Sequence, residues 1–340
     1  MLAVVKNKPG IGIAITEVTE PHIEKNQVMI EVKACGICGS DLHIYSWEPF
    51  YQWMNLPRTL GHELAGIICE VGKDVAGYER GDRVVTETWA GCGNCYYCRL
   101  GKFNHCLFQA RLGQHVDGGM AKYVAVPANG LYKIPEGVDF QEASVIEPLG
   151  VILHAFERCD MKPGDDIAII GPGPIGLLGV MLARASGAST IIVSGLKEDK
   201  KRLEYAKTFG AIPVNVQEEN LKNKVLDLTD GKGVDIVMEV SGGKGSLTEA
   251  AHIVKPGGQV GVVGLGMESA FDPNLIVMKE LSVLGSNRRQ PSSWYRAIKL
   301  VANRVIDPKL IITHALPLER AQEGFQALIS KEGIKVVLLP

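Results

Sequence analysis

The stretch Gly171-Pro-Gly-Pro-Ile-Gly176 narrows what this chain can fold into more than any other. It follows a short apolar run, Asp166-Ile-Ala-Ile-Ile170, and precedes a helix-like run from Ile175 to Ala185. A G-x-G-x-x-G match alone is weak; between a strand and a helix it has a mechanical meaning. The first glycine makes the tight turn, the second lets backbone approach a pyrophosphate, and the third lets helix and strand pack closely. The helix N-terminus then faces the anion. Gly171, Gly173, Pro174, Ile175 and Gly176 are therefore candidate dinucleotide contacts.

The surroundings continue the pattern. Thr190-Ile-Ile-Val193 reads as the next strand, Lys200 to Phe209 as a helix stopped by Gly210, and Val234–Val240 and Gln259–Val263 as further strands. Alternation at this spacing predicts α/β architecture with a doubly wound parallel sheet. Residues 1 to about 150 read differently, as short β-runs (Val28–Lys33, Glu63–Glu70, Gly81–Val85) among Gly and Pro punctuation. From about 290 the chain predicts a helix, Trp294 to Val301, and a last strand, Lys335 to Leu339. A length of 340 residues suits two domains.

At the end of the second strand of a dinucleotide fold, an acid that bonds the ribose hydroxyls marks NAD. Here the residues are Ser194-Gly195-Leu196-Lys197, with no acid before Glu198. Lys197 can meet a 2′-phosphate, or it is one more solvated lysine beside Lys200, Lys201 and Arg202. Both NAD and NADP stay open, with Gly195 and Lys197 as candidate contacts.

Four of the eight cysteines fall within fifteen residues, as Cys92-x₂-Cys95-x₂-Cys98-x₇-Cys106. Four thiolates close a tetrahedron around Zn²⁺ and leave no open position, which describes a structural site. An iron–sulfur cluster or disulfides are the alternatives. A second constellation is scattered: Cys35-Gly-Ile-Cys38-Gly-Ser40-Asp41-Leu-His43, Gly61-His62-Glu63 and Ile146-Glu147-Pro148-Leu149. Cys35 and Cys38 can also be read as a redox C-x-x-C pair, but no thioredoxin-like βαβ surrounds them.

Composition excludes more than it selects. Apolar residues are 46%, charged residues 22% and the formal net charge −2, so nothing points to nucleic acid or an acidic membrane surface. The weakly charged stretch Ile167–Val193 holds Gly171-Pro-Gly-Pro174 and Arg184, which argues against a membrane span. The start, MLAVVKNKPG, has too short an apolar run for a signal peptide, so a cytoplasmic location is expected.

Taken in chain order, these motifs resemble the zinc-containing medium-chain dehydrogenase/reductase (alcohol dehydrogenase) family, and within it the sorbitol (L-iditol) and threonine 3-dehydrogenase branches. The resemblance implies a β-rich GroES-like catalytic domain over 1–150 and 290–340, and a Rossmann NAD(P)-binding domain over 151–289. It implies two Zn²⁺ per chain, one structural and one catalytic. Cys38 and His62 would ligate the catalytic zinc, with Glu63 and Glu147 at the remaining carboxylate positions, directly or through water. Ser40 would bond the reacting oxygen and His43 carry the proton onward, while Cys35 matches a position that is not a ligand and Cys69 and Cys159 match no motif. The implied reaction interconverts a secondary alcohol and its ketone by hydride transfer, in a homodimer or homotetramer.

The substrate is less determined. Three of the four tryptophans lie between 47 and 89. Trp47 and Trp89 are candidate walls of the substrate pocket, with loop packing or a subunit contact as the plainer reading. His43-Ile-Tyr-Ser-Trp47 leans toward threonine 3-dehydrogenases. Two departures count against threonine: no Asn follows Glu147-Pro-Leu-Gly150, and Trp89 stands where that branch usually shows His. Polyols or sugar-derived alcohols therefore come first. Arg288 and Arg289 would face a cofactor phosphate or an anionic substrate, or lie in a solvated turn. A non-enzymatic zinc-ribbon interaction module would explain the four cysteines but leave the glycine turn and second constellation without a purpose.

Overall fold

The computed structural model describes residues 1–108, 110–266 and 270–340. The chain divides into two compact units, Met1–Glu147 together with Trp294–Pro340, and Pro148–Ser293. Among the described residues no helix is long and apolar enough to cross a membrane.

The unit Pro148–Ser293 is built on six parallel strands. Their spatial order is Ile212–Asn215, Ile191–Gly195, Ile167–Ile170, Val234–Glu239, Val254–Val262 and Ser282–Gly285. This is the doubly wound α/β fold, and the order reverses at Ile167–Ile170. All four residues of that strand are buried, as expected where helices cover both faces of a parallel sheet. Ala168, Ile192, Val214, Val237 and Val260 join Ala250, Ile253 and Val225 from the helices in one core. Helix Lys200–Thr208 stops where anticipated, with Gly210 at φ +93°. One strand is longer than expected. Val254–Val262 begins before Gln259 and takes in Lys255-Pro-Gly-Gly258, and a register shift between Val234 and Ile236 accommodates the extra backbone.

The other unit holds a seven-stranded, mostly antiparallel sheet. Its order is Ile312–Pro317, Lys335–Leu339, Gln27–Gly36, Glu63–Val71, Arg83–Thr86 and Leu131–Lys133, with Tyr123–Pro127 also paired to Gln27–Gly36. Val28, Ile30, Val32, Leu64, Ile68, Val124, Phe325 and Val336 fill its core. A small second sheet joins Ala14–Glu17, Leu2–Lys6 and Arg58–Thr59. Register places the chemistry. Gly36 pairs with Glu63 and Cys35 with Leu64, while Val337 of the opposite neighbour pairs with Gly36. Cys38 lies just past one strand's end and His62 just before its partner's start, so the two arrive side by side. Lys335 opens the third strand at that same end of the sheet.

A candidate metal centre, a four-cysteine lobe and a glycine turn

Cys38, His62 and Glu63 each present a ligating atom within 4.8 Å of the others, with His62 and Glu63 buried. His62 Nδ1 has no hydrogen-bond partner although it is shielded from water. Burial would lower the His62 imidazole, but the Cys38 sulfur, hydrogen-bonded to it, and the Asp41 and Glu147 carboxylates outweigh that and raise it to about 10. An orphaned ring nitrogen amid sulfur and carboxylate oxygen is the donor set of a cation site. The S/N/O mixture suits Zn²⁺. The residues therefore fit the metal that their motifs imply.

Glu63 also has a buried charged partner. Lys335 Nζ donates to Glu63 Oε2 and to the Ile37 carbonyl (3.0 Å), and both charged side chains are 1% exposed. Burial raises the Glu63 carboxyl and Lys335 pulls it back; on the lysine, burial acts downward and Glu63 outweighs it. Gly36 makes room for this pair, since a Cβ there would sit 2.3 Å from Glu63 Oε2. Glu147, next to Pro148 in helix Ile146–Arg158, lies outside the 4.8 Å group. Its Oε1 accepts from the Thr88 hydroxyl at 2.7 Å.

Helix Gly39–Tyr45 begins at Cys38, and Asp41 Oδ2 accepts from the Cys38 N–H at 2.9 Å. This ties the cysteine's backbone to the helix that carries Ser40 and His43. Those two residues, three apart, share a face. Ser40 Oγ is buried without a hydrogen-bond partner, whereas His43 reaches toward water and pairs with Glu48. Trp47 lies under the ammonium of fully buried Lys6, 5.3 Å from the ring centre. Trp89 packs with Cys95, Cys98 and Cys106.

The lobe brings Cys92, Cys95, Cys98 and Cys106 into one 4.8 Å group, and all eight cysteines are free of disulfides. The Cys92–Cys98 and Cys95–Cys106 sulfurs lie 4.0 and 3.9 Å apart. Four sulfurs around a tetrahedral zinc lie about 3.8 Å apart. Backbone N–H groups of Leu107 and Cys98 bring Cys95 down to about 6. Burial and the neighbouring sulfurs push Cys98 up to about 12. So many thiols at this spacing cannot all ionise without a cation, and the lobe also fits zinc. Replacing Cys98 by Ser should lower Tm by several degrees and make it insensitive to chelator, because structural zinc contributes folding energy. The folded fraction should keep kcat within about twofold; a thermal melt with and without chelator checks the first effect and steady-state turnover the second.

In the other unit, helix Pro174–Ala185 starts at Gly173 with proline in its first turn and no side-chain cap, so its N–H groups stay open to an anion. Gly176 has no alternative, since a Cβ would lie 2.0 Å from the Gly171 carbonyl oxygen. Sequence reasoning passed over Glu239, at the end of the neighbouring strand. Its buried carboxylate accepts from Ser241 Oγ (2.6 Å) and from the N–H groups of Ser241 and Gly242 (both 2.9 Å), bracing the loop packed on Gly171. Past Gly195, Lys197 is exposed and its N–H donates to Gln217 (2.8 Å). The nearby acid Asp199 is buried and accepts from the Leu196 N–H (3.1 Å). Arg289 is buried against Gly150, and Arg288 is partly exposed.

Comparison with known proteins agrees with this chemistry. Residues 24–136 match the alcohol dehydrogenase GroES-like domain and residues 174–303 the zinc-binding dehydrogenase domain. The chain is 39% identical to sorbitol dehydrogenase of Halalkalibacterium halodurans, over 100% of this chain and 99% of that protein. It is 36% identical to L-threonine 3-dehydrogenase of Bacillus velezensis, over 100% and 99%. Alcohol dehydrogenase TADH from Thermus sp. ATN1 superposes with a TM-score of 0.93 at 32% identity, covering 100% of this chain and 99% of that one. The chain belongs to the zinc-containing medium-chain alcohol dehydrogenase family. It is an oxidoreductase whose cofactors are zinc and NAD(P), which removes the interaction-module alternative.

Proposed function

We propose that this enzyme interconverts a polyol or sugar-derived secondary alcohol and its ketone. The observation that carries the reading is the grouping of Cys38, His62 and Glu63 within 4.8 Å of one another, together with a buried Ser40 hydroxyl that has no partner of its own. Cys38, His62 and Glu63 would hold the catalytic zinc, with Glu147 as the further carboxylate. Cys92, Cys95, Cys98 and Cys106 would hold the structural one. Gly171, Gly173, Pro174, Ile175, Gly176, Gly195 and Lys197 would contact the dinucleotide, making Pro148–Ser293 the cofactor domain and the remainder the catalytic domain.

When bound, zinc supplies a Lewis acid that eases loss of the substrate's hydroxyl proton, and the nicotinamide supplies the hydride acceptor. The chain's own residues do the rest. Ser40 Oγ accepts the substrate hydroxyl's hydrogen bond and orients it. His43, one helical turn on and partly exposed, receives the proton and returns it to water. Lys335 fixes the Glu63 carboxylate, and Thr88 fixes that of Glu147. Trp47 forms the substrate wall, and Trp89 packs on the lobe cysteines.

The Halalkalibacterium relative's sorbitol activity and the departures from the threonine pattern favour polyols. Threonine oxidation is the second reading, supported by identity to L-threonine 3-dehydrogenases. Absorbance at 340 nm with polyols, threonine and simple secondary alcohols, each with NAD⁺ and NADP⁺, decides between them. A polyol signal is expected, a threonine-only signal promotes the second reading, and silence from every alcohol removes both.

The absence of an acid before Glu198, together with the burial of Asp199, supports recognition of a 2′-phosphate by Lys197. Lys197→Ala should weaken NADPH about tenfold relative to NADH, a loss of one surface charge contact to phosphate. Fluorescence titration reads this, and equal losses for the two cofactors would remove the role. A cytoplasmic location and a homodimer or homotetramer, as the family resemblance implies, complete the proposal.

A further inference from the structure

Helix Gly39–Tyr45 ends in an unusual way. Trp47 adopts the left-handed conformation at φ 57°, its N–H donates to the Ile44 carbonyl (3.1 Å), and the Glu48 N–H donates to the His43 carbonyl (3.1 Å). This pair of bonds is the Schellman stop, which normally places glycine at the left-handed position. A bulky aromatic there is unfavourable and persists only where its surroundings enforce it. Lys6 supplies the enforcement. Its buried ammonium sits over the Trp47 ring and donates to the Tyr45 carbonyl (3.1 Å), to Gly12 (2.9 Å) and to Gly10.

The stop turns the chain back over the helix's last turn. Glu48, five residues on and out of reach in a continuing helix, lands with Oε1 2.7 Å from His43 Nδ1. The next turn then seats Tyr51, whose N–H donates to the Glu48 carbonyl (2.9 Å) and whose buried ring stacks on His43 at 6.2 Å and 10°. The imidazole is thus gripped at one nitrogen and across one face. An ordinary exposed ion pair contributes about 0–1 kcal/mol and would not call for an aromatic residue in a left-handed turn. With side chains 44% and 48% exposed, this pair has little to give stability.

We propose that Glu48 is the positioning residue for His43, setting its tautomer for proton transfer. The proposal rests on the reading of His43 as proton acceptor. An ionised carboxylate only accepts, so the neutral ring must carry its hydrogen on Nδ1 and keep its lone pair on Nε2. In alcohol oxidation the substrate O–H bond breaks and an Nε2–H bond forms, with Ser40 Oγ passing the proton. The carbinol C–H pair leaves as hydride to NAD(P)⁺, which is reduced as the alcohol becomes a ketone. The imidazolium so formed is paired with Glu48 until it loses its proton to water.

The test uses the zinc-loaded enzyme. Long-range ¹H–¹⁵N NMR at alkaline pH reads each neutral imidazole's tautomer, and the spectrum of His43→Gln identifies the His43 signal. The wild type should show the Nδ1–H form. Glu48→Gln, whose amide can donate to Nδ1, should shift it toward Nε2–H. The same variant should lose at least about tenfold in kcat, with the alcohol KM and the NAD(P)H Kd within about twofold. Glu48→Asp should recover part of both signals. A wild-type ring in the Nε2–H form overturns the proposal, as does a Glu48→Gln enzyme with unchanged spectrum and kcat. An unchanged kcat in His43→Gln overturns the proton-acceptor reading itself, and is told apart because the wild-type tautomer is read without turnover.

Discussion

Replacing Cys38 or His62 by alanine should lower kcat by about 10³-fold or more, while NAD(P)H binds within about twofold of wild type. Each substitution removes one of the three donors grouped within 4.8 Å at the end of the antiparallel sheet. The Lewis acid they would hold contributes several kcal/mol of charge stabilisation, and each 1.36 kcal/mol is tenfold in rate. Cofactor affinity should survive because the glycine turn belongs to the other compact unit, Pro148–Ser293. Stopped-flow turnover and cofactor-fluorescence titration on the same samples separate the two effects. Turnover that persists in either variant would remove the metal from the mechanism.

In the zinc-free protein, Lys335→Met should be destabilising by about 3–5 kcal/mol, the usual consequence of stripping one partner from a buried ion pair. Glu63 would be left nearly water-free with the Ile37 carbonyl also deprived of its donor. For a unit of this size the loss corresponds to a fall in Tm on the order of 10 °C. The methionine is close in volume, so a cavity is not the cause. Adding Glu63→Gln should return much of the loss, because the uncompensated charge is then gone. A double-mutant cycle by thermal melting measures this coupling; additive losses would show that the two side chains do not stabilise one another.

The parts of the molecule legible in the sequence were those where local backbone demands leave few residue choices. Gly171 and Gly176 announced the dinucleotide turn because no side chain fits beside the Gly171 carbonyl. The four cysteines announced the lobe because they are adjacent in the chain. Less legible was whatever depends on register between distant strands. Lys335 sits in an apolar run, Ile334-Lys-Val-Val-Leu-Leu339, where one lysine reads as a solvent-facing residue. Only the pairing of Val337 with Gly36, and of Gly36 with Glu63, turns it onto the carboxylate. The signal available was a charged residue inside a fully apolar strand, which needs a buried partner. Glu239 was hidden the same way, at the end of a strand predicted for its apolar content alone. Glu48 escaped because the Schellman stop uses tryptophan where the pattern asks for glycine, so the helix end left no mark. Strand Gln27–Gly36 runs three residues past its alternating segment, because Ala34 still pairs with Ala65 while Cys35 and Gly36 pair on both sides.

The most direct test of the account is the zinc content of the purified chain, compared between wild type and His62→Ala. Two sites of different construction predict about two zinc ions per wild-type chain and about one in the variant, retained by the closed four-sulfur lobe. A single zinc in both proteins would contradict the assignment of Cys38, His62 and Glu63 as a metal centre, and with it the mechanism built on that site.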